Sequence, residues 1–421
     1  MSDASPITLV LPRRIEPEKM MTLSGMRTER TSRGQSRRRG QETARGIGPE
    51  RRRSVERSRF SRSWKEIRTR GILRDAVESR PTAAVEEAMK VAGLALLTTV
   101  GVLSQAAPAP RPAVPLDPIA AILEAFKTHD IVALGEPHGN EQAAAFRVAL
   151  VRDPRFADVV NDIVLEAGNS RYQDTVDRFV NGQDVPGATL RQAWQNTTIA
   201  NFLWERPIYE QFVRAVREVN LRLPTPRRLR VLLGDPPIDW NEVRTADDLV
   251  KWLLERDASA LNIIRDQVLT KRRRALLIYG EGHFWRHHAG NNLVTRLERG
   301  GTPVFTISTP IQTDLTQVQS DVATWATPSL ARLRGTVIGA KEFVYFFPNP
   351  RIPSDSPRYE EQIDAVLYLG SPVMMTTSML PAALCADEQY LSMRVARMQL
   401  DPGPPGSPTP RDRLRRNCAT K

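Results

Sequence analysis

Residues 130–141 read DIVALGEPHGNE. The apolar run Asp130–Leu134 stops at Gly135 and passes at once into Glu136-Pro137-His138-Gly139; Glu141–Val151 then carries helical spacing. A short apolar strand, a polar turn and a helix in that order form the unit from which parallel sheets are built. Three further segments follow the same plan. Asp162–Leu165 (DIVL) ends at Glu166, Leu229–Leu233 (LRVLL) ends in Gly234-Asp235, and Ala275–Tyr279 (ALLIY) ends in Gly280-Glu281-Gly282-His283. Pro303–Ser308 and Ala365–Leu369 read as later strands, and Pro118–Lys127, Thr245–Leu269 and Asn291–Glu298 as helices. Residues 171–222 are mostly helical in pattern, with a loop near Asn181–Pro186. Continuous rather than alternating apolar strands are buried on both faces. The fold class is therefore α/β: a mostly parallel central sheet flanked by helices, with a helical insertion at about 171–225.

In an open parallel sheet, ligands bind outside the carboxyl ends of the strands. All four polar clusters fall there, so residues far apart in the chain should meet on one edge. Gly and Asp favour turns in any case, but four clusters in register, all bearing carboxylates or imidazoles, exceed turn chemistry. The candidate catalytic residues are His138, Glu136, Glu166 and His283. A neutral imidazole near a helix start suits a general base or a metal ligand. His138, His283, Glu166 and Asp235 are also a candidate metal set, two His with carboxylates being a zinc-type combination. Glu141, Arg171, Tyr172 and Glu281 are candidate substrate-binding residues; the plainer readings are a helix N-terminal charge for Glu141 and a surface ion pair for Arg171. His283 and His287 share a spacing of four with zinc-binding helices, but Phe284 stands where that motif needs Glu. His287 and His288 read as rim positions and His129 as structural. Asn196-Thr197-Thr198 is a glycosylation sequon by pattern only. A phosphate-binding loop, a dinucleotide fingerprint and a Gly-x-Ser-x-Gly elbow are all missing from the sequence.

Of 421 residues, 60 are Lys or Arg and 48 are Asp or Glu, a net charge of +12. Residues 1–88 alone hold 21 basic against 12 acidic side chains. That segment lacks periodicity and reads as a disordered Arg-rich arm; a nucleic-acid-binding arm is the functional alternative. Next come Met89-Lys90, the apolar run Val91–Leu103, and Ser104-Gln105-Ala106 before a Pro-rich linker at 107–116. This is the layout of a secretory signal peptide at 89–106, too short for a stable membrane span. The expectation is a secreted or periplasmic protein starting at Met89, with 1–88 lying upstream of the true start. The mature domain is then nearly neutral, which removes the case for nucleic acid. The α/β domain is expected over 117–384 and a tail over 385–421. Cys385 and Cys418 are the only cysteines and could pair in an oxidising compartment.

GEPHGNE at 135–141, Glu166 in IVLEAG and GEGH at 280–283 resemble the erythromycin esterase/ChaN-like superfamily, which also includes the Tiki and TraB proteins. The resemblance covers roughly 117–370. It implies an α/β core with helical additions and one of several activities. Erythromycin-esterase-like members hydrolyse a lactone through water activated by His and Glu. Tiki-like members resemble metal-dependent proteases with paired Gly-x-x-His motifs. ChaN-like members bind haem in iron uptake. Gly139 after His138 resembles the esterase form, and the two Gly-x-x-His motifs resemble the Tiki form. The chain lacks the Cys of the haem-binding lipoproteins. The expected function is an exported hydrolase of a small-molecule substrate, with a divalent metal as possible helper. The alternative is a haem-binding protein using Tyr172, Tyr279 or a His.

Overall fold

The computed structural model describes residues 108–286, 291–347, 356–401 and 407–418. The Arg-rich segment, the signal-peptide layout, His287 and His288 lie outside the described residues.

Among the described residues seven strands form one sheet: β1 (Ile131–Gly135), β2 (Asp162–Asn169), β3 (Arg230–Asp235), β4 (Ala275–Tyr279), β5 (Val304–Ser308), β6 (Ser329–Arg332) and β7 (Ala365–Tyr368). Their order is β3-β2-β4-β1-β5-β7-β6. Every pairing is parallel except that of β6 with β7. All of β1, β4 and β5 is buried, as expected of central strands covered on both faces. Strand β6 escaped the sequence reading. It is four residues long, lies at the edge and has no continuous apolar run.

The order β3-β2-β4-β1 sets four carboxyl ends side by side, and these are the ends that carry Asp235, Glu166, the GEGH turn and Glu136-x-His138. Helix α1 (Pro118–Ala125) precedes β1 and is capped by Asp117, which accepts from the Ala120 N–H at 2.7 Å. Helix α2 (Glu141–Arg152) begins directly after the His138 turn, because Asn140 caps it by accepting from the Ala143 N–H at 2.7 Å. The insertion between β2 and β3 holds α3 (Gln173–Val180), α4 (Gly187–Gln195) and α5 (Pro207–Asn220). Trp194, Trp204, Tyr209 and Phe212 bury themselves from this insertion into the core on one face of the sheet. Between β3 and β4 the chain forms α6 (Ala246–Leu254) and α7 (Arg256–Ile263), and α8 (Leu293–Arg299) precedes β5.

Within the segment read as a tail, α9 (Glu388–Leu400) and α10 (Pro410–Cys418) form, and Cys385 and Cys418 are joined by a disulfide. Arg394 of α9 is fully buried and bonded to Glu205, and Met398 packs against Phe202 and Leu380. Among the described residues no helix is long and apolar enough to cross a membrane.

Candidate active site

The GEPHG turn brings Glu136 and His138 together. His138 Nδ1 stands 2.5 Å from Glu136 Oε2. Glu136 is buried and held from behind: the Tyr209 hydroxyl donates to its Oε1 at 3.3 Å, and Arg147 approaches the same oxygen at 3.4 Å. Tyr209 also accepts the Gly139 N–H at 3.0 Å. Gly139 has φ of +80°, and a Cβ there would meet the Arg206 side chain at 2.9 Å, so a side chain is excluded on both counts. The Trp204 ring meets the His138 ring edge-on at 4.9 Å. The other side of the imidazole lies over Gly280, where a Cβ would sit 2.9 Å from both Cε1 and Nε2 and 3.3 Å from Glu166 Oε2. The histidine of the first motif thus rests on the glycine that opens the second.

Glu166, at the end of β2, accepts the Gly280 N–H at 2.6 Å through Oε2. Its Oε1 takes a hydrogen bond from Arg256 and stands 3.3 Å from His283 Nε2. The other ring nitrogen of His283 is 2.5 Å from Asp257 Oδ1. Arg256 also reaches Asp235 Oδ1 at 3.5 Å, and Asp235 accepts the Thr198 N–H and hydroxyl, each at 2.6 Å.

The electrostatics follow from these contacts. Burial would lower the His283 pKa, but the charge of Glu166 and the bonds to Asp257 and Glu166 outweigh it and push it up to about 9. Burial would raise Glu166, yet the charges of His283 and Arg256 hold it well below the usual carboxylate range. His138 is likewise raised: burial opposes, while the bond to Glu136 and the charges of Glu166 and Glu136 prevail. Burial pushes Asp235 up to about 6 against the pull of Arg256 and Thr198. At neutral pH the pair of Glu166 and His283 is thus carboxylate and imidazolium, which leaves Glu166 a weak base.

A cavity of about 20 Å³, room for about one water, lies behind the His138–Glu136 pair. Glu136, Arg147, Glu166, Trp204 and Tyr209 line it together with apolar side chains. The aromatic residues of the insertion therefore serve both as core and as wall.

Of the residues singled out from sequence, Glu136, His138, Glu166, Asp235 and His283 converge. Glu141 is exposed at the start of α2 and accepts from the Thr376 hydroxyl at 2.7 Å. Arg171 forms a half-exposed ion pair with Asp239 at 3.0 Å, and the Tyr172 hydroxyl accepts from Asn196 at 2.8 Å. Glu281 turns towards β5, bonding Ser308 and Thr309. These contacts give each of the four a partner within the protein. In the sequon, Thr198 is buried on Asp235. His129 packs beside Phe305 before β1.

Sequence reading missed Arg147, Arg256, Asp257 and Tyr209. Arg147 left a signal: it falls on the buried stripe of α2 with Ala143, Ala144, Phe146, Leu150 and Val151. Arg256 and Asp257 left none, since a charged pair at a helix start is ordinary.

The four candidate metal ligands do not fit a metal. Arg256 lies between Glu166 and Asp235, so a fixed cation already serves the carboxylates an ion would need. Among the described residues no group of three His, Cys, Asp or Glu side chains is arranged to hold an ion. Haem ligation by Tyr279 fares no better. Its hydroxyl is buried against Gly234, at a point 1.6 Å from where a Cβ would lie.

No protein-family model matches the chain, and no curated protein matches it. Among solved structures it is similar to ChaN of Campylobacter jejuni with cofacially bound haem, at 16% identity over 46% of this chain and 86% of that one, TM-score 0.33. It is similar to a mutant of the erythromycin esterase EreC in its open conformation, at 12% identity over 62% and 94%, TM-score 0.42. It is also similar to a succinoglycan biosynthesis protein, at 11% identity over 64% and 96%, TM-score 0.44.

Proposed function

We propose that the chain is an exported hydrolase of small ester or lactone substrates that uses His138 as its general base. The observation that carries this reading is the Glu136–His138 contact at 2.5 Å. A carboxylate on Nδ1 fixes the tautomer and leaves the Nε2 lone pair free. His138 is one-third exposed, so substrate and water can reach it. In the forward step, Nε2 takes a proton from water as the water oxygen bonds to the ester carbonyl carbon. The tetrahedral oxyanion then collapses, the carbon–oxygen bond to the leaving alcohol breaks, and Nε2–H returns the proton to that oxygen. Imidazolium His283 and guanidinium Arg256 supply positive potential beside this centre, while Glu166 holds both in place. Export is supported by the signal-peptide layout at 89–106 and by the Cys385–Cys418 disulfide, which suits an oxidising compartment.

A panel of aryl esters and lactones of graded size tests the reading. The wild-type chain should hydrolyse at least one class, and His283→Ala should lose that activity while staying folded. Full activity in His283→Ala would remove the electrostatic role assigned to that residue. N-terminal sequencing of the native protein tests export; a mature chain beginning upstream of residue 89 would contradict it.

A further inference from the structure

Glu281 belongs to the second motif, yet the hydrolytic mechanism leaves it unused. Its carboxylate crosses the sheet edge. From the end of β4 it passes over Gly135, the last residue of β1, and ends on β5, where the Ser308 hydroxyl donates to Oε2 at 2.6 Å and the Thr309 N–H to Oε1 at 2.5 Å. A Cβ on Gly135 would lie 2.6 Å from Glu281 Cγ, so the side chain rests directly on that glycine. Thr309 closes the arrangement by donating its hydroxyl to the Gly135 carbonyl at 2.9 Å. Strands β4, β1 and β5 are adjacent in the sheet, and the Glu136 N–H bonds to the Tyr279 carbonyl at 2.8 Å.

We infer that Glu281 is a positioning residue: a clasp across three strand ends that fixes the His138 turn against the turn carrying Gly280 and His283. The inference rests on the hydrolase reading for its effect on rate, but its geometry stands apart from it. The main-chain ladder ends with the Glu136 N–H on the Tyr279 carbonyl, so beyond it the register of the two turns depends on side-chain ties such as this one. The His138 ring sits on Gly280 with no slack, so a shift of either turn would misalign Nε2. Burial pushes the Glu281 carboxyl up to about 7 against the Ser308 and Thr309 bonds, and both of its oxygens are taken up by these two neutral donors, which suits a holding role in place of ion pairing. This also accounts for Gly135, where any side chain would displace the clasp.

The test compares Glu281→Gln, Glu281→Ala and Gly135→Ala in the full chain. Glu281→Gln keeps the length and an acceptor for the Thr309 N–H, and should retain kcat within about threefold. Glu281→Ala and Gly135→Ala should each lower kcat about tenfold or more with KM little changed, in proteins whose circular dichroism matches wild type. Their combination should cost no more than either alone, because both undo one contact. Side-chain nitrogen NMR of His138 and His283 reads the same clasp without any substrate: both ring signals should move in Glu281→Ala and stay in Glu281→Gln. If no ester or lactone is hydrolysed, the hydrolase reading fails and the ring signals alone decide the clasp. Unmoved ring signals in Glu281→Ala would overturn it, as would a rise in KM with kcat unchanged, which would return Glu281 to substrate binding.

Discussion

His283 Nε2 stands 3.3 Å from Glu166 Oε1, with Asp257 on the opposite ring nitrogen, so the imidazole is clamped between two carboxylates. A histidine whose pKa is raised by folding stabilises the fold fully below its unfolded value near 6.5 and loses that contribution as pH rises through the folded value, here about 9. The urea midpoint should therefore fall between pH 6.5 and 9.5. In His283→Gln that slope should flatten. Equal slopes in the two proteins would show that the raised pKa does not arise at His283.

Arg256 serves Glu166 and Asp235 in the place a metal would take. Hydrolysis by the wild-type chain should therefore survive dialysis against a chelator unchanged. Arg256→Met leaves Asp235 without its cation and Glu166 with His283 alone, and breaking such a buried pair costs about 3–5 kcal/mol. Its thermal midpoint should drop accordingly. Loss of activity on chelation, restored by one divalent metal, would contradict this assignment.

The Glu205–Arg394 ion pair, with Tyr390 donating to the same carboxylate oxygen, fastens α9 to the helical insertion. Both side chains are fully buried, so Arg394→Ala should destabilise by about 3–5 kcal/mol in urea unfolding. Replacing the pair by Glu205→Leu with Arg394→Met should recover most of the loss, because no charge is then left stranded. If the double variant is no better than the single one, the pair acts through packing and not through charge.

The strand ends were legible because each apolar run stops abruptly at Gly or a carboxylate. With the β3-β2-β4-β1 order, that alone brings Asp235, Glu166, Gly280 and His138 to one edge. What the sequence hides is tertiary. Arg256 and Asp257 look like any solvated helix start, and only the fold turns α7 over the carboxyl ends. Glu136 and Glu281 both follow a strand-end glycine, but neighbouring strands differ. Beside Glu136 stand Tyr209 and Arg147; beside Glu281 stand the end of β1 and the Ser308-Thr309 turn. Residues 385–418 looked like a tail because Pro and Gly punctuate them, while their anchors, Arg394 and the Cys385–Cys418 bond, depend on partners far away in the chain.

A general base must be neutral to act, and His138 is raised above 6.5: burial opposes this, but the bond to Glu136 and the charges of Glu166 and Glu136 prevail. The rate, measured as kcat/KM, should climb with pH through an apparent pKa above 6.5. Glu136→Gln removes one of the raising charges and should move that midpoint downward. A midpoint that stays in place would detach Glu136 from the titration.

The most direct measurement is kcat/KM of folded His138→Ala on whichever ester or lactone the wild-type chain cleaves fastest. Loss of a general base at this position predicts a fall of about 10²–10⁴-fold with circular dichroism unchanged. Wild-type kcat/KM in that variant would contradict the account.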